Sequence, residues 1–446
     1  MIRKLAIPFL MLGAAFAAPA GNADYSEGIF VINEDWYGHQ NSTVNYLLPD
    51  DADGNFWRYR VIQTENPGKE LGCTNQFGAI WNGRFYLIAK QAKDPGASVK
   101  GGRITVADAK SMEVLHQKEL IDPSGATCDG RAFIGVDSHK GYISTTNGVW
   151  ILNLDNFEIN GQVEGTENSN PKNLYKGQCG SMVEAAGRIF VAHQSAGLLV
   201  IDPALDRVVA TVAMTCVSAK AGIGSVVKSK DGNLWVSVAK DTNGSGSTLP
   251  YLVKVDPESL ETTLVPLADG VYAPSNSWYA WTPDTFCASS QSNTLYWSGG
   301  ASSWFTGEKV FKFDIDSESM SMIIDLTADG ENWKIYGCSM RVDPSTDYLY
   351  MSLYQGFSSQ TYVVRRYTAD GARLNEYPMI DNYWFPSLFV FQPDGDSGVD
   401  EIIDDAESSE PAAYFNLNGV RVDADNLTPG VYIRRIGNKT DKILIR

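Results

Sequence analysis

A unit of about fifty residues recurs along the chain, and this repetition constrains the fold more than any other feature. One copy runs from "GRIFVAHQ" into "LLVIDPALDRVVATV", and similar orders occur in "NLWVSVAK…YLVKVDPESLETTLVPL" and "TLYWSGG…VFKFDIDSESMSMIIDL". The apolar runs are rich in β-branched residues, which suit pleated strands, and Asp-Pro favours a turn between them. With a short preceding segment, each copy supplies four strands. Four short strands per repeat are typical of a β-propeller blade.

The number of complete units predicts how the ring closes. Six units fit between Cys73 and Met379, whereas the residues before Cys73 supply only three strands. The missing inner strand is predicted in "SLFVFQPD", from Ser387 to Asp394, because it follows the sixth unit. Pairing this strand with the N-terminal ones would remove open sheet edges. We therefore predict an all-β, seven-bladed propeller over residues 25–394; the alternatives are a β-sandwich or two smaller β domains.

The two ends of the chain have a different character from the repeats. "MIRKLAIPFLMLGAAFAAPA" combines basic, apolar and small residues, so residues 1–23 are predicted to be a secretory signal peptide. No other segment has the apolar length of a membrane span, and we expect an exported monomer at the cell surface or outside the cell. Residues 395–411 are predicted to form an acidic linker, and residues 412–446 a small β appendage. Calcium is not expected in the linker, because Gly398 occupies a ligand position.

Charge and cysteine usage exclude several classes of function. The formal net charge is −17, which disfavours nucleic acid as a partner because the surface repels phosphate backbones. The six cysteines lie at or near predicted inner strands. Export permits disulfides, but we favour small apolar residues that pack near a central channel. No Cys-x-x-Cys or paired His spacing occurs, so neither a metal nor a cofactor is predicted.

Catalytic patterns are missing from the sequence. His39, His116, His139 and His193 are scattered over different repeats, and no GxSxG, HExxH or P-loop pattern occurs. The predicted inner strands offer a polar but acid-poor lining, made mainly of Asn75, Gln76, Asp129, Gln178, Ser181 and Ser289. No catalytic residue is therefore predicted, and a lactonase-like hydrolytic propeller is kept as an alternative.

Aromatic residues are concentrated in two kinds of loop, those leading into an inner strand and those joining the second and third strands. Both kinds lie on one face of a propeller, where function concentrates. An aromatic ring in a Gly/Ser-rich loop either packs against another loop or forms an exposed binding surface. The predicted ligand-binding residues are Trp36, Tyr37, Trp278, Tyr279, Trp281, Trp304, Phe305, Trp333, Tyr336 and Trp384.

Two groups of segments resemble known propellers. "VIDPALDRVVATV" and "VDPESLETTLVPL" resemble the YncE-like, YVTN-type family. "CDGRAFIGVDSHKGYISTTNGVWILNL" and "DNYWFPSLFVFQPD" resemble the Bacteroidota surface propellers that include the cobalamin-binding BtuG proteins. This resemblance implies a non-catalytic surface protein that captures a corrinoid such as cobalamin, with an outer-membrane transporter as a partner. No Cys precedes Cys73, so we expect no lipid-modified N-terminal cysteine, which departs from that group.

Other ligands of the same face are possible on the sequence alone. Stacking aromatic rings also suit sugars and protein hot spots, so a glycan- or protein-binding surface propeller is the main alternative. In the C-terminal residues, "YFNLNGVRV", "PGVYIRR" and "KILIR" resemble the sorting domain of the type IX secretion system. This second resemblance implies surface display or release, and a purely structural appendage is its alternative.

Overall fold

The computed structural model describes residues 23–168, 176–216, 222–239, 248–274, 278, 283–299, 306–393, 413–416, 421–422, 430–436 and 439–445. The chain consists of two compact units, with the boundary between residues 397 and 398. The predicted acidic linker and residues 1–22 of the predicted signal peptide lie outside the described residues.

The described part of the first unit contains seven antiparallel sheets, which we call blades 1 to 7. From the inner to the outer strand, blade 1 consists of Pro386–Phe391, Ile29–Asn33, Thr43–Leu47 and Trp57–Arg58. Blade 2 consists of Cys73–Trp81, Arg84–Gln91, Ile104–Asp108 and Val114–Lys118. Blade 3 consists of Gly130–Gly135, Lys140–Thr145, Gly148–Asn153 and Ile159–Gln162. Blade 4 consists of Cys179–Ala185, Arg188–His193, Gly197–Asp202 and Arg207–Val212.

The remaining blades follow the same order from the inner to the outer strand. Blade 5 consists of Gly222–Lys228, Leu234–Ala239, Thr248–Val255 and Thr262–Pro266. Blade 6 consists of Cys287–Ala288, Thr294–Gly299, Lys309–Asp314 and Ser319–Asp325. Blade 7 consists of Lys334–Val342, Leu349–Tyr354, Tyr362–Tyr367 and Arg373–Pro378, with the short strand Thr306–Gly307 added at its inner edge. The described helices are the α-helix Val61–Glu65 and the 3₁₀ turns Met214–Cys216 and Leu326–Asp329.

The inner strands contact one another in a closed ring. Each inner strand lies against that of the next blade, and the inner strand of blade 7 lies against that of blade 1. The last strand of the unit, Pro386–Phe391, pairs antiparallel with Ile29–Asn33, so blade 1 combines one C-terminal strand with three N-terminal ones. The predicted all-β fold and its closure by a C-terminal strand are confirmed.

Side chains from both faces of each blade fill the core between blades. Phe30 of blade 1 lies 4.7 Å from Phe85 of blade 2, measured between ring centroids. Tyr86 of blade 2 stacks on Phe133 of blade 3 at 4.1 Å. Because both faces are covered, strands such as "IFVIN" are buried along their whole length instead of alternating.

Five cysteines, Cys73, Cys128, Cys179, Cys287 and Cys338, are free and buried at or beside the inner strands. Burial raises the pKa of the Cys179 thiol to about 12, so this group stays protonated at neutral pH. Cys338 donates a hydrogen bond of 2.8 Å to the carbonyl oxygen of Ser387, across the junction of blades 7 and 1. These five residues thus serve as small packing groups near the ring axis.

The second unit contains a small antiparallel sheet. Its described strands are Ala413–Asn416, Arg421–Val422, Gly430–Ile436 and Lys439–Ile445. The predicted C-terminal β appendage is therefore present, whereas its sorting role stays a prediction. Among the residues that the structure describes, no helix has the length and apolar character needed to cross a membrane.

Candidate functional site

The described aromatic candidates lie at one end of the blades, which we call the top face. The top face carries the loops that lead into the inner strands and the loops that join second to third strands. Trp36 and Tyr37 lie in the second-to-third loop of blade 1, and Trp333 lies just before the inner strand of blade 7. The sequence therefore placed these side chains on a shared face, but it did not indicate which of them reach solvent.

Two of the candidates are exposed and form part of an aromatic rim. Trp36 and Tyr37 are 39% and 57% exposed. The Trp36 ring stacks on His39 at 3.7 Å and contacts Tyr383 at 4.1 Å, measured between ring centroids. Phe357, in the equivalent loop of blade 7, is also half exposed. We call Trp36, Tyr37, His39, Phe357 and Tyr383 the aromatic rim.

The blade 1 loop that carries the rim is fixed against blade 2. The carboxylate of Asp94 accepts a hydrogen bond of 2.8 Å from the backbone N–H of Gly38. Asn41 accepts one of 2.8 Å from the backbone N–H of Asp94 and donates another, also 2.8 Å, to the carbonyl oxygen of Val99. A Cβ at Gly96 would lie only 2.3 Å from the carbonyl oxygen of Gly38, so this close approach requires glycine. The loop is thus preorganised.

The other described candidates are buried. They are Trp278, Trp333, Tyr336 and Trp384. The indole N–H of Trp278 donates to the carbonyl oxygen of Ile223 at 2.8 Å, and that of Trp384 donates to Ile380 at 2.9 Å. These side chains are packed beneath the surface of the top face. This is the first of the two possibilities stated for a loop aromatic ring, which is packing against other loops. Four further candidates lie outside the described residues: Tyr279, Trp281, Trp304 and Phe305. Ligand contacts through either group stay predictions.

The inner strands share an irregularity close to their top ends. In blades 1 to 5 the pairing with the second strand skips one or two residues of the inner strand, and the skipped positions include Gln76, Arg131, Ser225 and Ser387. A β-bulge of this kind re-aims the side chain of the extra residue. As a result, polar side chains emerge from otherwise apolar strands at the same level of the channel.

These re-aimed side chains bridge neighbouring blades. Arg131 of blade 3 donates to the side-chain oxygen of Gln178 beside blade 4 at 2.7 Å. Gln76 of blade 2 donates to Glu34 of blade 1, which also accepts a hydrogen bond from Tyr336. Ser225 of blade 5 donates to Asp284, which precedes blade 6. We call the polar belt the set Glu34, Gln76, Arg131, Gln178, Ser225 and Asp284.

Burial controls the ionisation of groups in and around the polar belt. It raises the pKa values of Glu34 and Asp284, and it raises the pKa of the neighbouring Asp35 to about 8. Desolvation also lowers the pKa of Lys90 to about 8, although Glu34 partly offsets this effect. Desolvation thus disfavours the charged forms of these buried groups.

Sequence reasoning missed several charged members of this region. The expected lining was acid-poor, yet Glu34, Asp284 and Arg131 lie at or next to the inner ends of the top loops. Each lies in or beside a mostly apolar strand, and this position of a charged residue is the signal that could have indicated it. For Arg131 the direction depends on the bulge at this position, which cannot be predicted from composition.

A cavity of about 490 Å³ lies in the channel next to the polar belt. All seven inner strands contribute to its walls. Gln76, Ser225 and Asp284 of the belt line it, together with Arg341 of blade 7. Its apolar lining residues include Phe77, Ile134, Met182, Val226, Phe286 and Leu388. The volume is within the range of small-molecule sites.

The closed ring, the rim and the channel together define the class: a seven-bladed β-propeller with a loop-built face and a lined central channel. A family model described as "Domain of unknown function (DUF5074)" matches residues 27–392. The chain therefore belongs to this family, and the matched region spans the propeller from blade 1 to its closing strand. A comparison with curated proteins gives no match.

Solved structures support the fold. A quinonprotein alcohol dehydrogenase-like protein from Bacteroides thetaiotaomicron VPI-5482 is 17% identical, with a TM-score of 0.56, over 83% of this chain and 79% of that chain. Two structures of the extracellular domain of one further protein from the same species, described in one as a one-component system and in the other as a hybrid two-component system, are 13% and 10% identical. Their TM-scores are 0.45 and 0.48; they align with 82% and 83% of this chain, which spans 48% and 56% of theirs. The first of the three shows the shared fold.

Proposed function

We propose that this protein is a non-catalytic, exported binding protein that holds a bulky ligand with a planar or ring-shaped part on its top face. The observation that carries the proposal is the aromatic rim, in which Trp36 is stacked on His39 and in contact with Tyr383 yet remains 39% exposed. Large apolar rings on a surface that the fold holds rigid are typical of a binding site. Because Asp94 fixes the loop, little ordering cost would accompany binding.

The charged groups below the rim support binding rather than turnover. Glu34 is engaged by Gln76 and Tyr336, and Arg131 is engaged by Gln178. Side chains committed to such internal partners are poorly placed to move protons at a substrate. Among the described residues, no group of three or more His, Cys, Asp or Glu side chains is arranged to hold a metal ion.

The sequence supports the location and one ligand. Residues 1–23 have the pattern of a secretory signal, so a top face outside the cytoplasm would meet external ligands. A corrinoid such as cobalamin is the preferred ligand, because the repeats resemble surface propellers that bind it and because its ring is large enough to span several aromatic side chains. An outer-membrane transporter would then be the partner that receives the ligand.

Calorimetric titration of the purified protein with cobalamin tests this proposal. We expect saturable binding, and we expect Trp36→Ala to weaken it about tenfold or more, since one stacked ring contributes roughly 1–3 kcal/mol. The matched control is Tyr272→Ala, which removes another half-exposed ring of the top face near blade 6 and should leave binding within about twofold.

Three outcomes separate the parts of the proposal. Binding that Tyr272→Ala abolishes and Trp36→Ala spares would move the site to the blade 5–6 side of the face. Saturable binding of soluble glycans without cobalamin binding would replace the ligand but keep the binding role. Hydrolysis of a lactone by the wild-type protein would contradict the non-catalytic role.

A further inference from the structure

We propose that the channel cavity is a second binding site, separate from the top face, and that it takes a small carboxylate with an apolar body and a hydrogen-bond donor at its far end. The cavity of about 490 Å³ has walls from all seven blades. Its apolar lining includes Phe77, Met182 and Leu388, which would contact the body of such a ligand. The charged side chains that line the same space select the polar groups of the ligand.

Of the two cations that line the cavity, only one has an ion-pair partner among the described residues. The cavity is lined by two acidic and two basic residues: Glu184, Asp284, Lys228 and Arg341. Lys228 and Glu184 form an ion pair at 3.3 Å and so balance each other. Burial raises the pKa of Asp284, whose two carboxyl oxygens accept hydrogen bonds from Ser225 and Ser237. The charge of Arg341 acts against this shift, but the two side chains form no ion pair, so Arg341 is the cation of the cavity that stays available to a ligand.

Arg341 is held in place but has donors left for a ligand. Its Nη1 donates to the carbonyl oxygens of Cys338 and Met340 at 3.1 Å and 2.7 Å, which fixes the guanidinium at the wall. Among the described residues, no carboxylate lies within ion-pair distance of it. Nε and Nη2 have no hydrogen-bond partner among the described residues, and this planar edge of a guanidinium matches a carboxylate in a bidentate pair.

Gln76 supplies the complementary polar group toward the top of the cavity. This residue is 3% exposed, and its Nε2 donates to Glu34. Its Oε1 is buried and has no hydrogen-bond partner among the described residues. A buried amide oxygen is costly to leave unpaired, so a donor on the ligand would be favoured there. An O–H or N–H group is thus expected at the end of the ligand that points to the polar belt.

The direction of the ligand follows from the second cavity. Arg341 also lines a cavity at the opposite end of the channel, together with Pro344 and Gln392. Gln76 belongs to the polar belt near the top face. Hence the carboxylate would point away from the top face and the donor toward it, with the apolar body in between.

Calorimetric titrations with matched probes test this site in the full-length protein. The probe is 3-(4-hydroxyphenyl)propionate, which carries a carboxylate, an aromatic body and a distal hydroxyl. We expect it to bind at millimolar concentration or below, and we expect its carboxamide analogue and tyramine to bind at least about tenfold more weakly. Removing the hydroxyl, as in 3-phenylpropionate, should also weaken binding, by about threefold or more.

Variants locate the probe. Arg341→Gln should weaken binding of 3-(4-hydroxyphenyl)propionate about tenfold or more, whereas the matched control Lys228→Gln, which changes the paired cation of the same cavity, should stay within about twofold. Gln76→Leu should abolish the preference for the hydroxylated probe. Trp36→Ala should have no effect, which separates this site from the top face.

The proposal is overturned by either of two results. One is the lack of saturable binding of the carboxylate probe to the wild-type protein, and the other is wild-type affinity in a folded Arg341→Gln protein. If Arg341→Gln does not fold, the comparison of carboxylate with carboxamide in the wild-type protein decides the matter, because equal affinities would show that no cation recognises the probe.

Discussion

The carboxylate of Asp94 in blade 2 accepts a hydrogen bond of 2.8 Å from the backbone N–H of Gly38, two residues after the exposed Trp36. Asp94 is fully buried, and it also accepts hydrogen bonds from the backbone N–H of Gly96 and from the thiol of Cys73. One buried side chain therefore connects the aromatic rim to the inner strand of the next blade. The order of the rim depends on the junction between blades 1 and 2.

Asp94→Ala should release the rim loop without unfolding the propeller. The substitution leaves the N–H of Gly38 without its acceptor, so we expect a loss of about 2 kcal/mol in the free energy of unfolding and faster amide exchange over residues 36–41. Hydrogen–deuterium exchange measured by mass spectrometry checks this. The control is Asp122→Ala, since among the described residues the carboxylate of Asp122 accepts a hydrogen bond only within its own turn, from the backbone N–H of Ser124. Equal exchange in both variants would contradict the proposed role of Asp94.

The fold was predictable because its main determinant is periodic in the sequence. Apolar runs separated by Asp-Pro or Asp-Gly turns specify strands and their order, and the three-strand start leaves one position in the ring to fill. Pro386–Phe391 fills that position by pairing with Ile29–Asn33. Because this pattern is local and repeated, the sequence alone predicts the blades and the closing strand.

The candidate site was predictable only in part. Loop position placed Trp36 and Trp384 on the same face, but exposure depends on what the neighbouring blade presents to each ring. Trp384 stacks on Tyr59 and is 2% exposed, whereas Trp36 has open space on one side and is 39% exposed. Likewise, a bulge in the ladder decides that Arg131 turns toward the channel. Such tertiary contacts and bulges leave no periodic pattern in the sequence.

The buried Asp35 should make stability fall as the pH rises. Its pKa is raised from about 4 to about 8 in the folded chain, so between these values the folded state binds more protons at this site than the unfolded state does. The free energy of unfolding therefore decreases with rising pH across this window, and Asp35→Asn should remove that contribution. Urea unfolding of both proteins at about pH 5 and about pH 8 provides the measurement. Parallel pH profiles would contradict the prediction, because the other buried carboxyls contribute equally to both.

Arg365 should be a major stabilising residue of blade 7. Its guanidinium is 1% exposed and forms ion pairs with Glu376 at 2.6 Å, Asp329 at 2.5 Å and Glu331 at 3.2 Å. Arg365→Met would leave three carboxylates close together without their cation, at a cost of about 3 kcal/mol. Thermal unfolding at fixed pH and salt measures this loss.

The adjacent Arg366 provides a matched control. It lies in the same strand, but its partner Asp50 is 77% exposed, so Arg366→Met should cost about 1 kcal/mol or less from the lost ion pair. Arg365→Lys should fall between the two, since it keeps the charge but loses the planar fork. Equal losses for Arg365→Met and Arg366→Met would show that the cluster around Arg365 adds little to stability.

Ring closure should make the propeller dependent on its last strand. A chain that ends at residue 383 lacks Pro386–Phe391, and with it the buried side chains of Leu388, Phe389 and Val390. Each buried side chain of this size contributes roughly 1.5–3 kcal/mol, so the summed loss is comparable to the whole stability of a typical domain. It would also expose the edge of Ile29–Asn33 to aggregation. We expect this chain to be unfolded or aggregated, as measured by circular dichroism and size-exclusion chromatography.

A chain that ends at residue 397, at the boundary between the two units, should instead unfold cooperatively at a temperature near that of the full-length protein. A folded monomer ending at residue 383 would show that the closing strand is dispensable.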